Sequence, residues 1–466
     1  MIFSVEEVLR ATGGKLLQGN EQTLFQGVST DSRKIAQGEL FIALRGPHFD
    51  GHHYATEALE KKAEGVVIEE DKVADVRWNG YRSKAVIAVK DTLHALGDLA
   101  RDGRRRYPIP VVALTGSNGK TTTKEMISVC LETTFPILNT RGNLNNLVGL
   151  PMTLLNLTER ERVVVLEMGM NVPGEIRRLT EISEPDVGLI TNIEKVHLSG
   201  LGDVERVKEE KGELFRSMRQ DGTILVNQDD RRVVDLAGRF QGQKITFGVE
   251  NPADVMAREI HLNGARGVSF TLILEEEIME INLPILGRHF VPNALAAIAT
   301  ASLFGVELEE TRKALESFRP TPMRMEVIHL RGEKTLINDA YNANPRSVEM
   351  ALETLAEMKR EGQTVAVLGD MLELGDLTDE AHRQMGRWVK DLSIDFLLAM
   401  GGEAPVVVES AIRHGLSPER AWVVESHSEA ISILKEVTKK GDWILVKGSR
   451  KMAMEKIVEG LAGRGV

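Results

Sequence analysis

The sequence holds a single cysteine, Cys130, among 466 residues. One thiol excludes an intramolecular disulfide and any zinc site built on cysteines. Its setting among apolar residues marks it as a core side chain. Aromatic residues are scarce, at 5%, which leaves no row of stacking platforms for single-stranded nucleic acid. Positive charge is outnumbered, 58 Lys and Arg against 69 Asp and Glu, for a formal net charge of −11. That balance argues against a nucleic-acid coat or an anionic membrane surface. Local lysines and arginines can still hold an anionic substrate. Long apolar runs are missing too: the longest near-apolar stretch, residues 294–306, falls short of the ~20 residues a bilayer span needs. Ser4-Val5-Glu6-Glu7 reads as a capping box opening a short helix, not as a signal peptide. A cytoplasmic protein is expected. No complete Gly-x-Gly-x-x-Gly, His-Glu-x-x-His or Gly-x-Ser-x-Gly occurs, so dehydrogenase, zinc-peptidase and α/β-hydrolase readings lack support.

What is present begins with Thr115-Gly116-Ser117-Asn118-Gly119-Lys120-Thr121-Thr122, after the apolar run Val111-Val112-Ala113-Leu114. A buried strand, a glycine turn and a helix opening at Lys120 make a phosphate cradle. Free backbone N–H groups, the positive end of the helix dipole, a lysine ammonium and a hydroxyl for Mg²⁺ converge there. The full G-x-x-x-x-G-K-[ST] pattern would put Gly at 114, where Leu114 stands. ATP and Mg²⁺ are the expected ligands, with Lys120 on the β/γ-phosphates and Thr121 on the metal.

The chain is too long for one ordinary core, so about two to four domains are expected. Residues 1–90 carry short elements and polar turns. Residues 91–318 hold the phosphate loop and buried strand candidates at 111–114, 163–167, 187–191 and 223–226, with helical patterns between them. They read as a doubly wound, mostly parallel α/β sheet. Arg319-Pro320-Thr321-Pro322 breaks any helix and marks a linker. Residues 319–466 restart the rhythm, with strands expected at 335–338, 364–368, 396–399, 422–424 and 443–446, as a Rossmann-like unit. Ligands in such sheets sit at the carboxyl ends of strands. That rule brings Glu167, Asn192, Asp339, Gly369-Asp370 and Lys447-Gly448-Ser449 to one rim.

Glu167 and His197 are candidates for a second metal position, the carboxylate being the better match for Mg²⁺. Taken singly, His197 reads as a loop histidine, Lys211 as a solvated helix lysine and Asn145-Asn146 as a turn. Asn293 reads as a residue of an N-cap region, and Lys447 serves an anionic group or the surface equally well.

The order of the pieces says more. The phosphate loop is followed by Asn143-Leu-Asn145-Asn146-Leu-Val-Gly-Leu-Pro151, Glu167-Met-Gly169, Asn192 to His197, and Lys211-Gly-Glu-Leu-Phe215. Then come Gly287-Arg-His289 to Asn293, Arg324, and Asp339-Ala-Tyr341-Asn342-Ala-Asn344-Pro345. This succession resembles the Mur ligase family along nearly the whole chain. Leu368-Gly-Asp-Met-Leu-Glu-Leu-Gly375 and Tyr341 to Pro345 look like the member that adds a dipeptide. Thr30-Asp-Ser-Arg33 and Gly38 to Leu44 are similar to the family's UDP-binding first domain. The resemblance implies three domains: a UDP-sugar-binding unit (1–90), an ATP-binding unit (91–318) and a unit binding the incoming dipeptide (319–466). It implies ATP-driven joining of D-alanyl-D-alanine to UDP-N-acetylmuramoyl-tripeptide, by a monomer, through an acyl phosphate. The member adding the third, diamino acid is the alternative, and a folylpolyglutamate synthase a remoter one. By the same resemblance Lys211 carries a carbamate, and Glu167 and His197 fall on metal positions. Asn293, Arg324 and Asp339 fall where the family holds adenine, phosphate and ribose. Ser29, Thr30, Asp31, Ser32, Arg33, Arg45, Asn145 and Asn146 fall to the UDP-substrate, and Tyr341, Asn342 and Asn344 to the dipeptide. One departure stands out: the family pattern Gly-x-His-Asn-x-x-Asn has Phe290 at its first Asn.

Overall fold

The structure, a computed structural model, describes residues 1–78, 80–194 and 203–463. Among the described residues, three large sheets follow one another along the chain. The first has five strands, with Gly27–Ser29, Glu39–Ile42, Gly65–Glu69 and Ala85–Val89 parallel and Lys15–Gln18 antiparallel at its edge. Ser4 Oγ accepts the Glu7 N–H, and the Glu7 carboxylate accepts the Ser4 N–H. The expected capping box is therefore formed at the first helix.

The second sheet has nine strands. Val111–Thr115 is third from one border, between Val163–Glu167 on one side and Val187–Ile190 on the other, all parallel. Both faces of this strand are buried, as its unbroken apolar run requires. Val112 and Leu114 join the core that holds Met126, Ile127, Cys130 and Leu131 of the following helix. Val111 and Ala113 join the opposite core, with Leu96, Leu99, Ile176 and Leu214. Cys130 is fully buried, as expected. Beyond Gln243–Gly248 the sheet continues through Val255–Leu262 into two antiparallel pairings and ends at the border strand Glu277–Leu283. The apolar stretch near 294 forms the helix Val291–Leu303, packed into the same core as Cys130.

The third sheet has six strands. Glu326–Leu330 is antiparallel at the edge; Lys334–Asp339, Trp443–Lys447, Thr364–Gly369, Phe396–Met400 and Ala421–Val424 are parallel. The mixed, parallel-rich α/β class expected from sequence is observed. No helix among the described residues is long and apolar enough to cross a membrane.

Candidate active site

Strand register builds the site. Glu167 pairs with Leu114 and Ile190 with Thr115, so Glu167 and Thr191 flank the turn that follows Thr115. The turn relies on two glycines. Gly116 has φ +153°, and a Cβ there would lie 1.8 Å from the Thr191 hydroxyl. Gly119 has φ +80°, and its Cβ would come within 2.9 Å of the Asn293 side-chain oxygen. Only glycine meets both demands. Asn192 accepts the Asn118 N–H at 2.9 Å, the Thr191 hydroxyl donates to the Asn118 carbonyl at 2.6 Å, and the Ser117 hydroxyl accepts the Glu194 N–H at 2.8 Å. The helix Lys120–Glu132 then starts with no side-chain cap on its first N–H groups, the arrangement that attracts an anion.

The loop opens into a cleft of about 550 Å³ bounded by the second and third sheets. The Lys120 ammonium donates to the carbonyls of Gly116 and Ser117, at 2.7 and 3.3 Å. Desolvation pushes its pKa down, with Glu167 opposing and Arg324 reinforcing that shift. Lys211 also reaches the Gly116 carbonyl, at 2.9 Å, and is 1% exposed. The solvated-lysine reading of Lys211 therefore fails: burial, with Lys120 beside it, holds this amine well below the usual lysine range. A lysine so placed favours its neutral form.

Glu167 is buried, with Oε1 accepting from the Asn145 amide at 2.8 Å and Oε2 without a partner among the described residues. A buried carboxylate oxygen with no donor is costly and suits a hard cation. Thr121, also buried, lines the same cleft. Among the described residues no group of three His, Cys, Asp or Glu side chains could hold a metal by itself. His197 lies outside the described residues.

Opposite the loop stand residues of the third sheet. Asp339 and Lys447 are register partners and form an ion pair with Lys447 only 3% exposed at its side chain. Lys447 also donates to the Asn342 carbonyl at 3.0 Å, so it is not a surface lysine. Arg324 lies over the Tyr341 ring at 4.1 Å, and Asn344 reaches Asn118. The half-buried His289 ring sits 4.1 Å from that of Phe290.

Of the candidates, Ser117, Asn118, Gly119, Lys120, Thr121, Thr122, Asn145, Asn146, Glu167, Lys211, Asn293, Arg324, Asp339, Tyr341, Asn342 and Asn344 all line this cleft. Thr115 and Gly116 lie behind its lining; Thr115 donates its hydroxyl to the Met168 carbonyl at 2.9 Å. Ser29, Thr30, Asp31, Ser32, Arg33 and Arg45 do not line it. Ser29 ends the strand Gly27–Ser29 and Thr30 to Arg33 follow it; Arg33 pairs with Asp31 and Arg45 with Glu69 and Asp71. The Arg33 guanidinium lowers the Asp31 carboxyl to about 2. Asp370 is also absent from the cleft lining, against the single-rim expectation. Its carboxylate accepts the N–H groups of Gly402 and Glu403, at 2.8 and 3.2 Å, beside the helix Ala404–Arg413. Asn146 is a turn residue as well as a lining one, accepting the Val148 and Gly149 N–H groups. Sequence reading passed over Ser347, which lines the cleft and completes a capping box with Asn344. Its spacing, three residues after an asparagine, was the available signal.

Three family models match the chain. The Mur ligase family catalytic domain covers residues 24–104, the Mur ligase middle domain 114–301, and the Mur ligase glutamate ligase domain 323–450. A UDP-N-acetylmuramoyl-tripeptide–D-alanyl-D-alanine ligase of Bacillus subtilis is 37% identical over 95% of this chain and 94% of its own. The chain belongs to the Mur ligase family. This Mur ligase also matches a crystal structure of MurF from Acinetobacter baumannii, with a TM-score of 0.90, 32% identity and 99% of each chain covered. A MurF ligase from Thermotoga maritima, in complex with ADP, matches with a TM-score of 0.83 and 26% identity over 94% of this chain and 97% of that one.

Proposed function

We propose that this Mur ligase joins D-alanyl-D-alanine to UDP-N-acetylmuramoyl-tripeptide, converting ATP to ADP and phosphate. One observation carries the reading: a single cleft is lined both by the phosphate loop and by the Tyr341–Asn344 segment of the third sheet. A phosphorylated acid and the amine that captures it can therefore meet. Full-length likeness to ligases of that name supports the choice of substrates.

A carboxylate does not acylate an amine at neutral pH, because its oxygen leaves poorly. In the proposed reaction the peptide's terminal carboxylate attacks the γ-phosphorus of ATP. A new O–P bond forms and the bond to ADP breaks, giving an acyl phosphate. The dipeptide's amine then attacks the acyl carbon, phosphate departs, and the nitrogen gives up a proton. Phosphoryl transfer asks chiefly for positioning and charge neutralisation, which Lys120 and Arg324 supply from opposite walls. Asn293 and Asp339 hold the nucleoside. Thr121 and Glu167, with His197 by the family resemblance, would hold Mg²⁺, which when bound would neutralise phosphate charge. The neutral Lys211 amine can take up carbon dioxide, forming an N–C bond and releasing a proton, and the resulting carbamate would support the metal. Residues 1–90 bind the UDP group through Ser29 to Arg33 and Arg45, with Asn145 and Asn146 nearer the peptide. Tyr341, Asn342 and Asn344 receive the dipeptide. Residues 91–318 bind ATP, and residues 319–466 carry the acceptor. The enzyme acts as a cytoplasmic monomer on small molecules, without nucleic acid.

The test incubates purified protein with ATP, Mg²⁺, the muramoyl tripeptide and D-alanyl-D-alanine, omitting each in turn. A pentapeptide mass, with phosphate release that requires both peptide substrates, is expected. Replacing the dipeptide by lysine or diaminopimelate should give no product. Phosphate release without an acceptor, or a product only with a diamino acid, overturns the reading.

A further inference from the structure

Lys124 lies one turn beyond Lys120 on the phosphate-loop helix, and it is 1% exposed. Its ammonium donates to the Thr140 carbonyl at 2.7 Å and pairs with Glu125. Thr140 is fully buried, just past Ile137–Asn139, the short strand at the sheet's other border. There its carbonyl would otherwise lack a ladder partner. The Thr140 N–H donates to the Val165 carbonyl at 3.0 Å, and its hydroxyl accepts the Glu167 N–H at 3.0 Å. Five residues later, Asn145 holds the Glu167 carboxylate at 2.8 Å, and its carbonyl accepts the Gly169 N–H at 2.8 Å. Residues 140–145 thus grip Glu167 at both main chain and side chain. Lys124 fastens the start of that grip to the phosphate-loop helix.

Burying an ammonium is costly where an apolar side chain would fill the space. Here the cost links two parts of one site. We propose that Lys124 and Thr140 are positioning residues for Glu167, fixing where its unpartnered Oε2 stands relative to the phosphate loop. The inference rests on Glu167 being the metal carboxylate of the proposed function. Neither residue lines the cleft, so neither is expected to touch nucleotide or peptide.

The experiment measures Mn²⁺ affinity of the full-length protein with ADP bound, from the free Mn²⁺ electron-spin-resonance signal, and ADP affinity without metal. Wild type is compared with Thr140→Val, Thr140→Ser, Lys124→Met and Glu167→Gln. Thr140→Val and Lys124→Met should weaken Mn²⁺ binding by about tenfold, the usual effect of losing a residue that orients a metal ligand. Metal-free ADP binding should stay within about twofold, and Thr140→Ser, which keeps the hydroxyl, should match wild type. Wild-type Mn²⁺ affinity in folded Thr140→Val or Lys124→Met overturns the proposal. Where Thr140→Val does not fold, Lys124→Met decides. Unchanged Mn²⁺ affinity in Glu167→Gln instead removes the metal role of Glu167, a separate failure visible in that variant alone.

Discussion

The Asn344 side-chain amide donates to the Asn118 side-chain carbonyl at 2.8 Å, across 226 positions of sequence. Asn118 belongs to the phosphate loop. Asn344 caps the helix Pro345–Glu357, accepting the Ser347 N–H while Ser347 accepts its own. One hydrogen bond thus ties the turn that faces phosphate to the segment proposed to hold the dipeptide. The Arg288–Glu357 pair, at 3.8 Å, makes a second tie at the far end of the same helix.

Asn344→Asp separates the two jobs of this residue. Aspartate caps a helix as well as asparagine does, yet it offers no donor to Asn118. Thermal stability should stay near wild type while ligase turnover falls by about tenfold or more, as small misplacements at a reacting centre do. Asn344→Ala should add a stability loss of about 1 kcal/mol from the missing cap. Equal turnover in Asn344→Asp and wild type would show that the contact has no part in catalysis.

Lys211→Ala should lower turnover by about a hundredfold, the scale of losing one electrostatic group at a phosphoryl site. Acetate or another short carboxylate, added in excess, should restore part of it by standing in for the carbamate. Full activity of the unsupplemented variant in carbonate-free buffer would refute the carbamate.

His289 gives a pH dependence with a definite sign. Burial pushes its imidazole from 6.5 down to about 3, and the Lys447 and Arg346 cations push the same way. Between those values the unfolded chain binds a proton that the folded one does not, so stability falls as pH falls. The contribution is whole above pH 6.5 and is lost toward pH 3. Urea unfolding from pH 7.5 to pH 4 should show a shallower decline for His289→Phe than for wild type. Parallel curves would contradict the burial.

Lys447→Met strands the Asp339 carboxylate, which among the described residues keeps the Met325 N–H at 3.2 Å on its other oxygen. Breaking a buried pair by removing one partner costs about 3 kcal/mol. The double variant Lys447→Met with Asp339→Asn should lose less than the sum of the two single changes, because the stranded charge is gone. Additive losses in denaturant unfolding would show that the two side chains do not interact.

Much of the site was legible because its members are local or sit at strand ends. Gly116, Gly119, Lys120 and Thr121 lie within one turn of each other, and Glu167, Asn192 and Asp339 follow buried apolar runs. Asp370 obeys the same strand-end rule yet turns away to backbone N–H groups at Gly402 and Glu403, a choice made by a loop that no periodicity reveals. Lys124 and Thr140 were hidden for another reason. Their links to the site run through main-chain groups, the Thr140 carbonyl and the Glu167 N–H, which carry no side-chain signature, and strand order alone brings them together. The antiparallel pairings of residues 255–283 were missed because their alternation is broken. A bulge separates Arg258 from His261, and Ile278 points its apolar chain to solvent, 71% exposed. Lys211 was misread in isolation because one helix face looks polar by composition while its lysine is drawn inward to a carbonyl.

The border strand Glu277–Leu283 exposes an outer row of backbone groups, the kind of edge to which another strand adds. Glu277 and Glu280 are exposed along it, and the Glu316 carboxylate meets the Asn282 N–H at 3.4 Å. A second copy laying its own border alongside would set carboxylate against carboxylate. Charged side chains along such a border discourage its pairing with another strand.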